Sequence, residues 1–259
     1  MLHQWRLILD PPLRGEKNMG KDLAIMEEVA AGESLPTLRI YRWSPPAVSL
    51  GYFQDENEVV DLAACAEAGI DVVRRPTGGR AVFHDQELTY SIIVPEAHPF
   101  INNGGVMESY RAISRGLITA FNLLEIPAYL TPEKEKRAIL APGSCFDTPS
   151  AYEIQVDGKK VVGSAQLRRK GIVLQHGSIL FALPLDLYQR ILKKDPRPPD
   201  DRRKGVDLGE KAAGLLDLGC NVNYEKMTRA LIKAFSMVIP AVFASMRIFK
   251  GEKGELTDG

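Results

Sequence analysis

Apolar positions recur at helical spacing over Lys17–Ala31, where Met19, Leu23, Met26 and Ala30 share one face and Gly32 follows as a stop. Leu38–Trp43 alternates instead, with Leu38 and Ile40 inward and Arg39 outward, which predicts a strand. Pro45-Pro46 turns the chain, and Ala47–Phe53 reads as the return strand. A short helix over Val59–Ala68 stops at Gly69, and the β-branched run Ile70–Arg74 is a strand. Ala81–His84 and Leu88–Val94 read as two more strands, and Val106–Leu124 as a long amphipathic helix. The clearest hairpin joins Tyr152–Val156 to Lys159–Ala165 through Asp157-Gly158, because Asp-Gly supplies the positive φ angles of a tight turn. Gly171–Phe181 is a further apolar strand, followed by helices near Leu185–Lys193 and Tyr224–Val238.

Between those helices, DPRPPDDRRKGVD (Asp195–Asp207) is too rich in proline and charge for a core element and reads as a surface loop or lid. The tail from Gly251 is expected to fray. The β/α alternation is too irregular for a barrel or a doubly wound fold. The expected class is α+β, a single domain over residues 1–250 with a mixed, largely antiparallel sheet flanked by helices and a flexible tail at 251–259.

Composition narrows the function classes. Of 259 residues, 45% are apolar and 25% charged, with 33 Lys+Arg balancing 33 Asp+Glu, so neither a disordered chain nor a chain-wide polybasic nucleic-acid binder fits. The three cysteines, Cys65, Cys145 and Cys220, are too few and too scattered for a disulfide scaffold and make no C-x-x-C pair. The run Leu7-Ile8-Leu9 is too short for a signal-peptide core, and no uncharged stretch reaches the roughly 20 residues that span a bilayer. A cytoplasmic protein that engages neither membrane nor nucleic acid is the expectation.

Three places could carry chemistry. The loop RRPTGGRAVFH (Arg74–His84) breaks all periodicity; Gly78-Gly79 allows close approach of backbone N–H groups to a ligand, and Arg74, Arg75 and Arg80 flank it with charge. It suits an acyl carbonyl, a phosphate or a phosphopantetheine arm, although composition alone favours a tight turn with solvated arginines. Cys145 sits on a loop between Pro142-Gly143 and Pro149, whereas Cys65 lies in an Ala-rich helix and reads as a structural thiol, and Cys220 as a loop spacer. Lys160, by strand alternation, shares a face with Val162 opposite Val161, either snorkelling at an edge or held in a site. His84 and His176 sit in strands, where a lone histidine is more often a hydrogen-bonded core group than a catalyst, and no His pair has metal-ligand spacing.

Taken together, RRPTGGRAVFHDQELTYSIIVP (Arg74–Pro95) and DGKKVVGSAQLRRKGIVLQHGSI (Asp157–Ile179), with AVSLGYFQ (Ala47–Gln54), resemble the biotin/lipoate protein ligase catalytic domain over roughly residues 5–240. SCFDTPSAYEI directly before GKKVVGSAQ resembles the cysteine-dependent octanoyltransferase branch. The resemblance implies an acyltransferase that moves an octanoyl group from octanoyl-acyl carrier protein to a lysine of a lipoyl domain, typically the glycine-cleavage H protein, with no cofactor and no metal. It maps the acyl-thioester cysteine onto Cys145 and the site lysine onto Lys160, reversing the plainer readings of both. It places substrate contacts at Arg75, Thr77, Gly78, Gly79, Arg80, His84, Gly163, Ser164, Ala165, His176 and Gly177, and leaves open whether His84 or His176 deprotonates the incoming amine. Arg74, Arg75 and the run Arg168-Arg169-Lys170 are candidates to receive acidic carrier domains, the run otherwise being a solvated hairpin turn. NMGKDLAIMEE (Asn18–Glu28) departs from the family pattern and receives no binding role. A monomer is expected. The competing readings are an ATP-dependent lipoate–protein ligase, an octanoyl amidotransferase between lipoyl domains, and an acyl-binding protein without turnover. Lipoate ligases carry an extra small C-terminal domain, and the short remainder after about Phe249 counts against the first of these.

Overall fold

The computed structural model describes residues 3–101, 105–131, 153–193, 208–239 and 241–248. Cys145 and its loop, the Asp195–Asp207 segment and the tail from Gly251 lie outside the described residues.

An eight-stranded sheet forms the centre. In chain order its members are β1 (His3–Leu9), β2 (Thr37–Tyr41), β6 (Glu87–Pro95), β7 (Tyr129–Leu130), β8 (Ile154–Val156), β9 (Lys159–Arg169), β10 (Ile172–Leu180) and β11 (Ala241–Ile248). In space they run β11-β1-β2-β6-β10-β9-β8-β7, parallel where β1 meets β11 and β2, antiparallel elsewhere. A second sheet orders β4 (Asp71–Arg74), β3 (Ala47–Leu50) and β5 (Val82–His84) with β3 central. The mixed sheet and flanking helices expected from the sequence are present; β1, β7 and β11 are additional. β1 finds its partners far along the chain, through parallel pairing that local periodicity does not encode.

Both faces of the large sheet are covered. α4 (Val106–Leu123) and α7 (Tyr224–Val238) pack together on one side over the largest apolar cluster, which includes Trp5, Tyr90, Phe121 and Phe235. α1 (Gly15–Ala30) crosses the other side through Ile25, Met26 and Val29. That second cover overturns the outward placement of Arg39. Its side chain is fully buried under α1, where Asp10 and Asp22 neutralise it, Nε–Oδ2 and Nη1–Oδ1 both at 2.7 Å. A strand buried on both faces carries a charge only when it is paired in this way.

The helix expected over Val59–Ala68 is split. α2 (Glu56–Val59) ends where Val60 bridges to Leu192, and α3 (Leu62–Glu67) restarts with Asp61 as its cap, accepting from the Ala64 amide at 2.9 Å. These helices and α5 (Leu185–Ile191) cover the small sheet around Leu50, Val60 and Cys65. A short helix, α6 (Leu208–Lys211), precedes Ala212, which bridges to Lys160.

The β8–β9 hairpin turns on Asp157-Gly158 as expected, with φ of 50° and 77°. Its register then slips: Ile154 faces Val162, but Gln155 faces Lys160, so Val161 is an extra residue in β9. Val161 and Val162 both enter the α4/α7 core. A one-residue slip moves every side chain beyond it to the opposite face. Lys160 therefore does not share a face with Val162 as alternation predicts; it turns toward Glu153, on the side of the sheet that Gly163 presents.

Candidate functional site

Where the small sheet meets the large one, under the N-terminal half of α1, lies a narrow slot of about 350 Å³ of empty space, counted out to its open mouth. One wall is β9–β10: Gly163, Ser164 and Ala165 face Ser178, Gly177 and His176 in antiparallel register. The opposite wall carries Ser49, Val82 and His84 of the small sheet with Arg75, and Met19, Tyr41 and Trp43 close the remainder. Seven of the expected contact residues therefore line one cavity: Arg75, His84, Gly163, Ser164, Ala165, His176 and Gly177.

The wall is rich in polar residues, yet it presents mainly carbon to the slot, because the polar atoms bond to one another. Two hydroxyl–imidazole–carboxylate chains do this. In one, His84 Nε2 lies 2.7 Å from Ser49 Oγ and Nδ1 lies 2.8 Å from Glu87 Oε1. The His84 ring stacks on Trp43 at 4.0 Å, and the Trp43 indole donates to Thr89 Oγ1, which donates to Glu87. In the other, His176 Nε2 lies 2.7 Å from Thr77 Oγ1 and Nδ1 lies 3.2 Å from Asp22 Oδ2.

Charge in the second chain is fixed by its surroundings. Burial would push the Asp22 carboxyl up, but Arg39 and the His176 hydrogen bond outweigh it and hold it at about 2. Burial pushes His176 below its ordinary value, against the pull of Asp22. A neutral His176 donates a hydrogen bond from Nδ1–H to ionised Asp22, and its Nε2 accepts from the Thr77 hydroxyl.

The glycine-bearing loop is held by Arg75, which is buried rather than solvated as composition suggested. Its guanidinium donates to the carbonyls of Ser49, Gly78 and Arg80 at 2.8, 2.9 and 2.6 Å. Gly79 adopts φ +92° there, a left-handed conformation that disfavours any side chain. A Cβ on Gly51 would fall 1.8 Å from the Gly79 carbonyl oxygen, so both glycines are needed for the loop to lie on β3. Thr77 is fixed through His176, while Gly78 and Arg80 present their carbonyls to Arg75. Arg74 is spent on the carbonyls of Gly51, Tyr52 and Gln54.

Lys160 is outside the slot lining, three positions before Gly163 on β9, roughly 10 Å along the strand. It is 3% exposed, and its Nζ meets Glu153 Oε1 at 2.5 Å. The basic run forms the β9–β10 turn, with Lys170 and Gly171 both at positive φ. Arg169 and Lys170 pair with Glu27, and Arg168 pairs with Glu96 at 3.2 Å. Among the described residues no cluster of three or more His, Cys, Asp or Glu could hold a metal ion, and no helix is long and apolar enough to cross a membrane.

Sequence reasoning missed Asp22, Ser49, Glu87 and Glu153. Asp22 had a signal: it falls on the same helical stripe as Met19, Ile25 and Met26, where a carboxylate is out of place unless paired. Glu87, three residues after His84, and Glu153, ahead of the hairpin, left no comparable mark.

The carbon-faced slot between the two sheets, walled by β9–β10 on one side and by Ser49, Val82, His84 and Arg75 on the other, is the candidate binding site. The structure superimposes on a putative lipoate protein ligase from T. acidophilum, solved with bound lipoic acid, at a TM-score of 0.72 and 25% identity, covering 96% of this chain and 90% of that one. Residues 14–236 match the lipoyl protein ligase A/B catalytic domain, and the chain belongs to that family. It is 44% identical to the octanoyltransferase LipM of Kyrpidia tusciae across 99% of this chain and 92% of that protein, and 37% identical to that of Staphylococcus aureus across 100% and 95%. The chain is an enzyme, an acyltransferase.

Proposed function

We propose that this enzyme transfers an octanoyl group from octanoyl-acyl carrier protein to a lysine of a lipoyl domain, such as the glycine-cleavage H protein, through a thioester on Cys145, as a step of lipoate biosynthesis. The observation that carries the reading is the relation between Lys160 and the slot. Lys160 is a buried ammonium on β9, and the carbon-faced slot lining begins at Gly163, roughly 10 Å along the same strand. Seven C–C bonds of ~1.5 Å, in zigzag, reach about 9 Å, which matches the scale of that run. Relatives named octanoyltransferase across nearly the whole chain support it.

In this reading the Cys145 thiolate attacks the thioester carbonyl and the pantetheine thiolate leaves, taking a proton to become the thiol. A free cysteine titrates near ~8.5, and a cation nearby favours its reactive form. Lys160 supplies that cation and the charge that stabilises the tetrahedral oxyanion. The acceptor amine then attacks the acyl-enzyme, an amide C–N bond forms, the C–S bond breaks and Cys145 is regenerated. A thioester is already activated relative to an amide, so ATP has no part in the reading.

Intact mass of the enzyme after incubation with octanoyl-acyl carrier protein tests it. The expected result is one octanoyl increment, absent in Cys145→Ser. No increment on the wild type overturns the proposal, and ATP-dependent lipoylation that survives Cys145→Ala replaces it with ligation.

A further inference from the structure

Tyr52 and Phe53 follow β3 in a tight turn and are displayed to solvent, 57% and 90% exposed. Their rings meet edge to face with centroids 5.0 Å apart. A single exposed aromatic residue is ordinary, but two in contact make an apolar patch. The turn is built to hold them there. Arg74 Nη1 donates to the carbonyls of Gly51, Tyr52 and Gln54, and the Gln54 side chain accepts from the Gly51 amide at 2.9 Å.

The same turn rests on the glycine-bearing loop. The Tyr52 amide donates to the Thr77 carbonyl at 2.9 Å, and Gly51 lies against Gly79. Thr77 in turn bonds His176 in the slot wall, and Arg75 is part of that wall. The patch is therefore continuous with the structure that shapes the slot. Aromatic side chains on a fixed backbone have little freedom to lose when they are covered, which is why they anchor protein interfaces.

We infer that the turn from Tyr52 to Glu58 is the docking face for the protein that carries the target lysine. The inference rests on the octanoyl-transfer reading, in which two macromolecules visit the enzyme, an acyl donor and an amine acceptor. Charge decides between them. Asp55, Glu56 and Glu58 are exposed beside the aromatic pair. The cations described there are turned onto backbone, Arg74 as above and Lys193 onto the Asn57 carbonyl at 2.8 Å. An acidic carrier domain meets like charge on this face, and so does a second copy of this chain set against it. The acceptor is the partner that the reaction itself requires to present an ammonium, and carboxylates and aromatic faces both attract one. Tyr52 and Phe53 then form the apolar centre of the contact and the carboxylates its polar rim.

The test measures binding and loading separately in the full chain. Calorimetry gives the Kd for an apo lipoyl domain, the glycine-cleavage H protein, and intact mass follows loading from octanoyl-acyl carrier protein. Wild type is compared with Phe53→Ser and with the double charge reversal Glu56→Lys/Glu58→Lys. The expected result is a Kd at least tenfold weaker in each variant, with the loading rate and melting temperature of the wild type. Wild-type affinity should also fall with added salt, and fall less in the charge reversal. An unchanged Kd in Phe53→Ser overturns the assignment. Slower loading with unchanged lipoyl-domain binding also overturns it, because the face then serves the donor. A wild-type dimer that Phe53→Ser makes monomeric overturns it as well, because a second copy then covers the patch. A wild-type enzyme that binds the lipoyl domain through Phe53 but never loads keeps the docking face and strikes the octanoyl-transfer reading instead.

Discussion

Asp22 and His176 are 154 positions apart in the chain and meet at 3.2 Å, Oδ2 to Nδ1. Asp22 also takes hydrogen bonds from Arg39, Tyr41 and Ser91, so one carboxylate ties α1 to three adjacent strands of the large sheet. Both Asp22 and Arg39 are fully buried, and the slot's wall depends on how they are held.

Asp22→Asn removes the charge and leaves Arg39 with Asp10 as its described carboxylate partner. Breaking a buried pair by removing one member typically costs about 3–5 kcal/mol. We expect a loss of that order in urea unfolding at pH 7, and a loss below about 1 kcal/mol would show that Arg39 does not need Asp22. The folded carboxyl lies at about 2, below its unfolded value near ~3.9, so its contribution is complete above pH ~4 and disappears as pH falls toward 2. Wild type should lose stability more steeply than Asp22→Asn across that interval.

His176 acts in the same direction, over a higher pH range. Burial lowers its pKa, so below pH 6.5 the unfolded chain takes up a proton that the folded chain refuses. Stability should fall as pH drops below 6.5, down to the folded value, and His176→Asn should flatten that part of the curve. Identical slopes for the two proteins in pH-dependent chemical denaturation would contradict it.

Gly51→Ala would place a methyl group against backbone, 1.8 Å from the Gly79 oxygen and 2.8 Å from its carbonyl carbon. No side-chain rotation relieves such a contact; the Gly78–Gly79 loop has to lift from β3, and with it the Arg75 bonds. We expect a melting temperature several degrees lower and a kcat/KM reduced by about tenfold or more, or ~1.4 kcal/mol. Both readouts unchanged would mean that the loop has room that its packing does not suggest.

The Lys160–Glu153 pair should show coupling. Lys160→Met leaves a buried carboxylate, Glu153→Leu leaves a buried ammonium, and the double substitution leaves neither. We expect each single change to cost about 3–5 kcal/mol and the double to cost less than their sum by about 1–3 kcal/mol. Additive losses would indicate that the two groups stabilise the fold independently.

The sequence by itself determined what its local chemistry encodes. Helical spacing marks α1, α4 and α7; Asp157-Gly158 marks its hairpin; the broken periodicity at Arg75–Arg80 marks the loop that brings Arg75 to the slot. The family was legible because its motifs are contiguous runs. What only the tertiary structure decided depends on groups far apart in sequence or on the loss of one residue of register. Arg39 looks outward in any strand read alone, and becomes a core residue only because α1 covers the second face of the sheet. Asp22, unassigned in the sequence, belongs to the site because β10 brings His176 to it. Lys160 follows alternation on paper, but Val161, the extra residue in β9, turns it toward Glu153. A period of two carries no information about where a strand skips a residue, and long-range pairing leaves no mark on local periodicity.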